Sequence, residues 1–200
     1  ARWPRLEALT ILGPDPATLE ALGSGAWGRL RSLYVGRTFS SPAFDAPCAL
    51  ALAAAMRRMP ALHALELRRG TLSDASAAAL LGAEGAAPGL RRLAIVEAGL
   101  MPAAARLLAA TGWRLEELDL TSNRDLGAAG VAALLAAPTF AIRRLDLGHC
   151  GLGVADRFLS LANAPWPLEE LDLSGNNLSD PALAPALAAL SRHRGLRRLD

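Results

Sequence analysis

Lysine is missing from this chain of 200 residues: all 21 basic side chains are arginine, set against 19 acidic ones for a formal charge of +2. So small an excess leaves no basic footprint of the kind nucleic-acid binding needs. The want of lysine beside so much Ala, Gly and Pro reads as GC-rich codon usage. Aromatic residues are scarce at 4%, although 52% of residues are apolar. A core must then be built from Leu, Ala and Val, which suits many small identical layers better than one large centre. No run of 18 apolar residues is present, which argues against a transmembrane helix. The two cysteines, Cys48 and Cys150, stand far apart and read as free thiols, so a reducing, cytoplasmic location is expected.

What the chain does hold is one phrase written three times. Leu115-Glu-Glu-Leu118-Asp-Leu120-Thr-Ser-Asn123, Ile142-Arg-Arg-Leu145-Asp-Leu147-Gly-His-Cys150 and Leu168-Glu-Glu-Leu171-Asp-Leu173-Ser-Gly-Asn176 put apolar residues at positions 1, 4 and 6, and Asn or Cys at position 9. A further Leu follows each, at Leu126, Leu152 and Leu178. Looser copies bring the phrase starts to residues 6, 30, 62, 90, 115, 142, 168 and 196, with Pro14, Thr38, Gly70 and Ala98 at position 9 of the first four.

Between phrases the apolar period changes from 2 to 3.6, which predicts helices over 75–81, 103–110, 128–136 and 182–190. Asp15-Pro16, Thr71-Leu-Ser-Asp74 and Ser179-Asp180-Pro181 supply helix starts. Asp or Ser accepts from first-turn amides there, and Pro gives up no needed donor. Pro185 is expected to loosen the last helix. Residues 38–47, with Phe39, Pro42, Phe44 and Pro47, are expected to form an ordered surface loop, either a partner contact or a tolerated insertion.

Short strand plus helix, repeated, is an α/β arrangement. Parallel strands stack about 4.8 Å apart and helices roughly 8–10 Å apart, so such a stack bends with its strands on the concave side. The phrase matches L-x-x-L-x-L-x-x-N/C-x-L, and the chain resembles the leucine-rich repeat family. The run from Leu118 to Asn123, followed by Leu126-Gly-Ala-Ala-Gly130-Val-Ala-Ala-Leu134, is similar to the ribonuclease-inhibitor-like subclass of that family. The resemblance implies a right-handed curved solenoid, a horseshoe of about seven repeats forming one domain over residues 1–200. It also implies protein binding, usually on the concave face. A chain that starts at Ala1 and stops within a phrase is expected to be a piece of a longer protein, monomeric in its full-length context.

Strand alternation sends positions 3, 5 and 7 to the concave side. Position 5 reads Thr10, Tyr34, Glu66, Ala94, Asp119, Asp146, Asp172 and Asp200. Positions 2 and 3 read Arg91-Arg92, Glu116-Glu117, Arg143-Arg144, Glu169-Glu170 and Arg197-Arg198, so the sign flips at every repeat. Each opposite-sign neighbour contributes about 0.2–1 kcal/mol. The ladder reads first as a device that neutralises the sheet and sets neighbour order, with partner recognition as the alternative. The aspartate stripe fits either role. Candidate contact residues are Glu66, Arg68, Arg92, Asp119, Arg144, Asp146, His149 and Asp172. Asn123, Asn176 and Cys150 are expected to turn inward and satisfy backbone groups leaving the strand. Trp3, Trp27, Trp113, Phe140 and Trp166 stand just before strand starts and read as lids over the repeat edge.

Other chemistry finds little support. Gly23-Ser-Gly25-Ala-Trp-Gly28 matches the dinucleotide-binding string, but it follows a helix and precedes a strand, the reverse of what that motif needs. His63, His149 and His193 lack metal-ligand spacing to Cys or carboxylates. Ser122, His149 and Asp119 or Asp146 can be grouped at the upper strand ends, yet nothing supplies an oxyanion hole or a closed pocket. The expectation is a non-enzymatic protein–protein interaction scaffold without cofactor or metal, whose partner is another protein and neither nucleic acid nor a membrane. Two alternatives stay open: sensor or spacer repeats of a larger receptor or effector, and a regulator resembling the repeat family that activates GTPases.

Overall fold

The computed structural model describes residues 5–25, 27–38, 44–70, 72–153, 161, 163–176 and 188–200. Trp3, Leu178, the helix start at 179–181 and all of the 182–190 helix except 188–190 lie outside them, as does the centre of the 38–47 loop. Among the described residues the elements alternate: β1 (Ala8–Leu12), α1 (Pro16–Gly23), β2 (Ser32–Gly36), α2 (Ala46–Met56), β3 (Ala64–Arg68), α3 (Asp74–Leu81) and β4 (Arg92–Val96). They continue with α4 (Pro102–Ala109), β5 (Glu117–Asp119), α5 (Gly127–Leu135), β6 (Arg144–Asp146), β7 (Glu170–Asp172) and β8 (Arg198–Leu199). The strands form one parallel sheet in chain order, and its register aligns the phrases position for position, as in Leu33↔Leu65↔Leu93↔Leu118↔Leu145↔Leu171. The fold is an α/β right-handed curved solenoid with parallel strands on the concave side and helices on the convex one.

Positions 1, 4 and 6 face the helices. Leu62, Leu65 and Leu67 are buried, as are Leu115, Leu118 and Leu120, and Ile142, Leu145 and Leu147; they meet Leu19, Leu52, Leu80, Leu108 and Leu134 from the helix side in one continuous apolar layer. Side chains cap three of the helices. Asp15 accepts the Thr18 N–H at 2.6 Å, Asp45 that of Cys48 at 3.0 Å, and Ser73 that of Ser76 at 3.2 Å. These bonds hold the exposed Asp15 and Asp45 carboxyls below their ordinary range. The Asp45 cap corrects one expectation. Asp45-Ala46-Pro47 is a helix start of the same kind as Asp15-Pro16, so Ala46 and Pro47 belong to α2 and not to a surface loop, and Phe44 is buried in the core.

Strand length divides the sheet in two. β1 to β4 run to position 7, whereas β5 to β7 stop at position 5, and side chains explain the difference. Asn123 donates to the carbonyls of Ile95 (2.6 Å) and Leu120 (2.7 Å) and accepts from the N–H groups of Ala98 (3.1 Å) and Leu100 (3.0 Å). Asn176 repeats the pattern one layer beyond Cys150, donating to Leu147 (2.7 Å) and Leu173 (2.8 Å) and accepting from Cys150 (2.9 Å) and Leu152 (3.2 Å). The Cys150 thiol donates to Leu120 at 3.0 Å. In a continuing parallel ladder, the position 7 N–H would take the position 6 carbonyl of the preceding strand. With that carbonyl held by position 9, the position 7 N–H turns to the aspartate at position 5: Thr121 to Asp119 at 2.9 Å, Gly148 to Asp146 at 3.0 Å, Ser174 to Asp172 at 2.8 Å. Position 9 and position 5 thus exchange backbone partners.

Position 8 turns the chain off the sheet. Its φ is positive at Gly13, Arg69, Glu97, Ser122, His149 and Gly175, a region that costs an L-residue other than Gly roughly 1–2 kcal/mol. The left-handed residue still donates to the next strand, Ser122 to Gly148 and His149 to Ser174, both at 2.8 Å.

Leu145→Ala should cost about 2–5 kcal/mol in urea unfolding, through the cavity it leaves, with the loss shared by adjacent repeats. Asn123→Ala should cost about 3 kcal/mol, because it strands several buried backbone groups. The double change Asp119→Ala with Asn123→Ala should cost less than the sum by about 1 kcal/mol or more, since Thr121 and Ile95 are then free to pair. Strictly additive costs would count against the exchange.

Candidate functional site

The concave face is built from positions 3, 5 and 7, and no layer covers it among the described residues. Its residues stack strand on strand: Ala64↔Arg92↔Glu117↔Arg144↔Glu170↔Arg198 at position 3, and Tyr34↔Glu66↔Ala94↔Asp119↔Asp146↔Asp172 at position 5. Two open depressions mark it. One, of about 320 Å³, is lined by Ala64, Glu66, Arg68, Arg92, Ala94, Asp119, Arg144 and Asp146, among others. The second, of about 490 Å³, lies against Arg144, Asp146, Glu170, Asp172, Arg198 and Asp200. Seven of the eight candidate residues therefore line one surface. His149 does not: it sits at position 8, exposed, and its ring lies where a Cβ on Gly175 would be, 2.3 Å from that point.

The alternating charges pair across strands. Arg92 meets Glu117 at 2.8 Å, Arg144 reaches Glu117 at 3.3 Å and Glu170 at 2.7 Å, Arg91 meets Glu116 at 3.7 Å and Arg143 meets Glu169 at 2.5 Å. Arg144 holds the Glu170 carboxyl below its usual range, while Glu170 and Glu117 raise the guanidinium's affinity for its proton. Being exposed, each such pair contributes roughly 0–1 kcal/mol. Arg68 pairs with Glu66 of its own strand, and Glu66, Asp119 and Tyr34 all hold its charge.

The aspartate row behaves differently. Asp119, Asp146 and Asp172 each spend Oδ1 on the turn that follows, and none makes an ion pair among the described residues. Burial pushes the half-buried Asp146 carboxyl above its ordinary value of 3.8, and the charges of Asp119 and Asp172 add to the shift against the bonds from Gly148 and Thr121. Asp119 takes both the N–H and, at 2.6 Å, the hydroxyl of Thr121, with no bond to His149 or Ser122. The drawn Ser/His/Asp grouping is not assembled.

Both thiols are buried and unpaired with each other. Burial raises Cys48 to about 11, with Asp45 adding to it, and Cys150 to about 12, with the Asp146 and Asp119 charges adding. They stay protonated near neutrality, poor nucleophiles and poor ligands. Trp27, Trp113 and Trp166 are buried. Trp27 donates to Leu22 at 2.6 Å, Trp113 to Ala86 at 2.8 Å, and Trp166 packs on Phe140 at 6.3 Å between ring centres. Gly25 of the glycine string leaves room for the Trp27 indole, which is a packing role.

Sequence reasoning passed over Ala94, whose small side chain opens the first depression between Glu66 and Asp119. The signal was there: Ala94 interrupts a row of larger side chains at position 5.

A solenoid of this register, closed at its turns by Asn123 and Asn176, is a leucine-rich repeat structure. The Leucine Rich repeat family model matches residues 115–135 and 167–185, the sharper half of the chain, and the chain is a leucine-rich repeat protein. It is 34% identical over 181 residues to Tonsoku-like protein of Bos taurus, an alignment that takes in 79% of this chain and 13% of that protein. It is similar in fold to a chain in the crystal structure of the Rad7 and Elc1 complex in yeast, with TM-score 0.52 and 17% identity over 98% of this chain and 63% of that one. The chain therefore spans about an eighth of the curated relative's length and less than two thirds of the solved chain. Among the described residues, no helix is long and apolar enough to cross a membrane, and no group of three His, Cys, Asp or Glu side chains is placed to hold a metal ion.

Asp146→Asn keeps an acceptor for the Gly148 N–H and removes the charge. A carboxyl whose folded value is raised destabilises the native state as pH climbs from 3.8 through that raised value, and the penalty persists above it. Asp146→Asn should therefore melt at or above the wild type at pH 7, and the gain should vanish below about pH 3. Thermal melts at the two pH values check this; a gain at pH 3 and a loss at pH 7 would invert the assigned sign.

Proposed function

We propose that this chain is a non-enzymatic protein–protein interaction scaffold that binds its partner on the concave sheet face, and that within its family it is of the ribonuclease-inhibitor-like kind. One observation carries the reading: Glu66, Arg68, Arg92, Asp119, Arg144, Asp146 and Asp172 line a broad, open surface with charges of both signs, uncovered among the described residues. An open face of that breadth suits a macromolecular contact, in which polar groups fix orientation and register. It does not exclude water as a reaction site requires. The similar solved chain comes from the complex of Rad7 and Elc1 in yeast, which agrees with the reading. A second reading is supported by the length of the bovine relative: these repeats are sensor or spacer modules of a larger receptor or effector, and the partner surface belongs to the same polypeptide.

A photo-crosslinking aromatic residue at Tyr34, on the concave face, should capture a protein from native lysate. The same residue at Leu50, which is 57% exposed on α2, should not. Capture from Leu50 with none from Tyr34 would move the interaction to the convex side.

A further inference from the structure

Resting on that reading of the concave face, we infer that the contacting segment of the partner is a cationic helix that lays one Lys or Arg per turn on Asp119, Asp146 and Asp172, followed by an apolar residue over Ala94. The charge inventory of the face points to it. Glu66, Glu97, Glu116, Glu117, Glu169 and Glu170 all have arginine partners, and Asp200 is held by Arg198. Arg91, Arg92, Arg143 and Arg144 of the ladder are in turn committed to those glutamates. What remains is a single file of three carboxylates along the midline, none of them in an ion pair among the described residues, with Arg68 acting on Asp119 at its near end. Burial is the main cause of the upward shift of the Asp146 carboxyl, and the charges of its two neighbours in the file add to it.

Geometry narrows the occupant. The three aspartates stand in register on adjacent strands, hence about 4.8 Å apart. An α-helix lying across the strands presents a side chain every 5.4 Å, one turn, and drifts by about 0.6 Å per strand, well within the reach of a flexible Lys or Arg. An extended segment presents alternate side chains roughly 6.7 Å apart and falls out of step by about 1.9 Å at each strand. Each Oδ1 is tied to a backbone N–H, so the carboxylates are oriented before the partner arrives and little rotamer freedom is lost on contact. Beyond Asp119 the row continues to Ala94, where the depression also exposes Ala64 and leaves space for an apolar side chain.

The test uses the purified chain and a labelled, stapled helical peptide with three Lys one turn apart, read by fluorescence anisotropy. Saturable binding should weaken on raising NaCl from about 0.05 to about 0.5 M. It should fall at least about tenfold for an isomer with the same lysines scattered around the helix, and disappear for the Lys→Glu peptide. The triple variant Asp119→Asn, Asp146→Asn, Asp172→Asn keeps the turn acceptors and should also bind at least about tenfold more weakly, with an unchanged circular dichroism spectrum. Equal affinity for the Lys and Glu peptides, or for the in-line and scattered isomers, overturns the inference, and neither comparison needs a variant that folds. If the Lys peptide fails to bind while Tyr34 still crosslinks a protein, the cationic helix is wrong and the concave contact stands. If Tyr34 captures nothing and the Lys peptide does not bind, both readings fall.

Discussion

Everything in the sharper half of this molecule depends on who holds the position 6 carbonyl. Asn123 and Asn176 take it from the position 7 amide and, with the same side chain, tie down two amides of the previous turn. A solenoid must bury the end of every strand against the next repeat, where an unpaired N–H or C=O costs about 1–3 kcal/mol. A side chain with two donors and an acceptor closes that account four bonds at a time. The displaced amide then needs another acceptor, and Asp at position 5 is short enough to reach it. The charge on the concave midline is in this sense a by-product of how the strand ends.

The other half solves the same problem differently. With Pro14, Thr38, Gly70 and Ala98 at position 9, the ladder runs on to position 7, the strands are five residues long, and position 5 is released from duty at the turn. Thr10, Tyr34, Glu66 and Ala94 occupy it. Local side chains fill the space instead: Ser76 donates to the Phe44 carbonyl at 3.1 Å, and Phe44 packs over Gly70. The drift of the repeat along the chain is a change of hydrogen-bonding scheme, and it carries the face from neutral and aromatic at one end to acidic at the other.

Much of this was legible beforehand because the repeat is a strict register. Once Leu118, Leu145 and Leu171 are recognised as equivalent, the pairing of Arg92, Glu117, Arg144 and Glu170 follows, as does the placement of seven candidate residues on one side. The burial of Asn123, Asn176 and Cys150 was readable for the same reason. What was hidden depends on bonds that periodicity does not encode. The strand truncation at Asp119, Asp146 and Asp172 needs a carbonyl to change partners. The early start of α2 was obscured by the surrounding prolines and phenylalanines, although Asp45-Ala46-Pro47 is itself a helix opening. His149 stands apart from the other seven because it is at position 8, outside the alternation of positions 3, 5 and 7, where the backbone is left-handed.

The Arg/Glu ladder constrains how the molecule can grow. From Arg92 to Arg198 the rungs alternate in sign, and from Arg92 to Glu170 each is satisfied by the rung beside it. Removing one repeat from this stretch, or copying one in place, would set arginine on arginine or glutamate on glutamate at positions 2 and 3, with repulsion where there was attraction. Removing or copying two neighbouring repeats together leaves every rung beside its opposite. The apolar layer has a period of one repeat, but the surface that covers it has a period of two, so the pair of repeats is the smallest length by which this part of the solenoid can change without disturbing its own electrostatics.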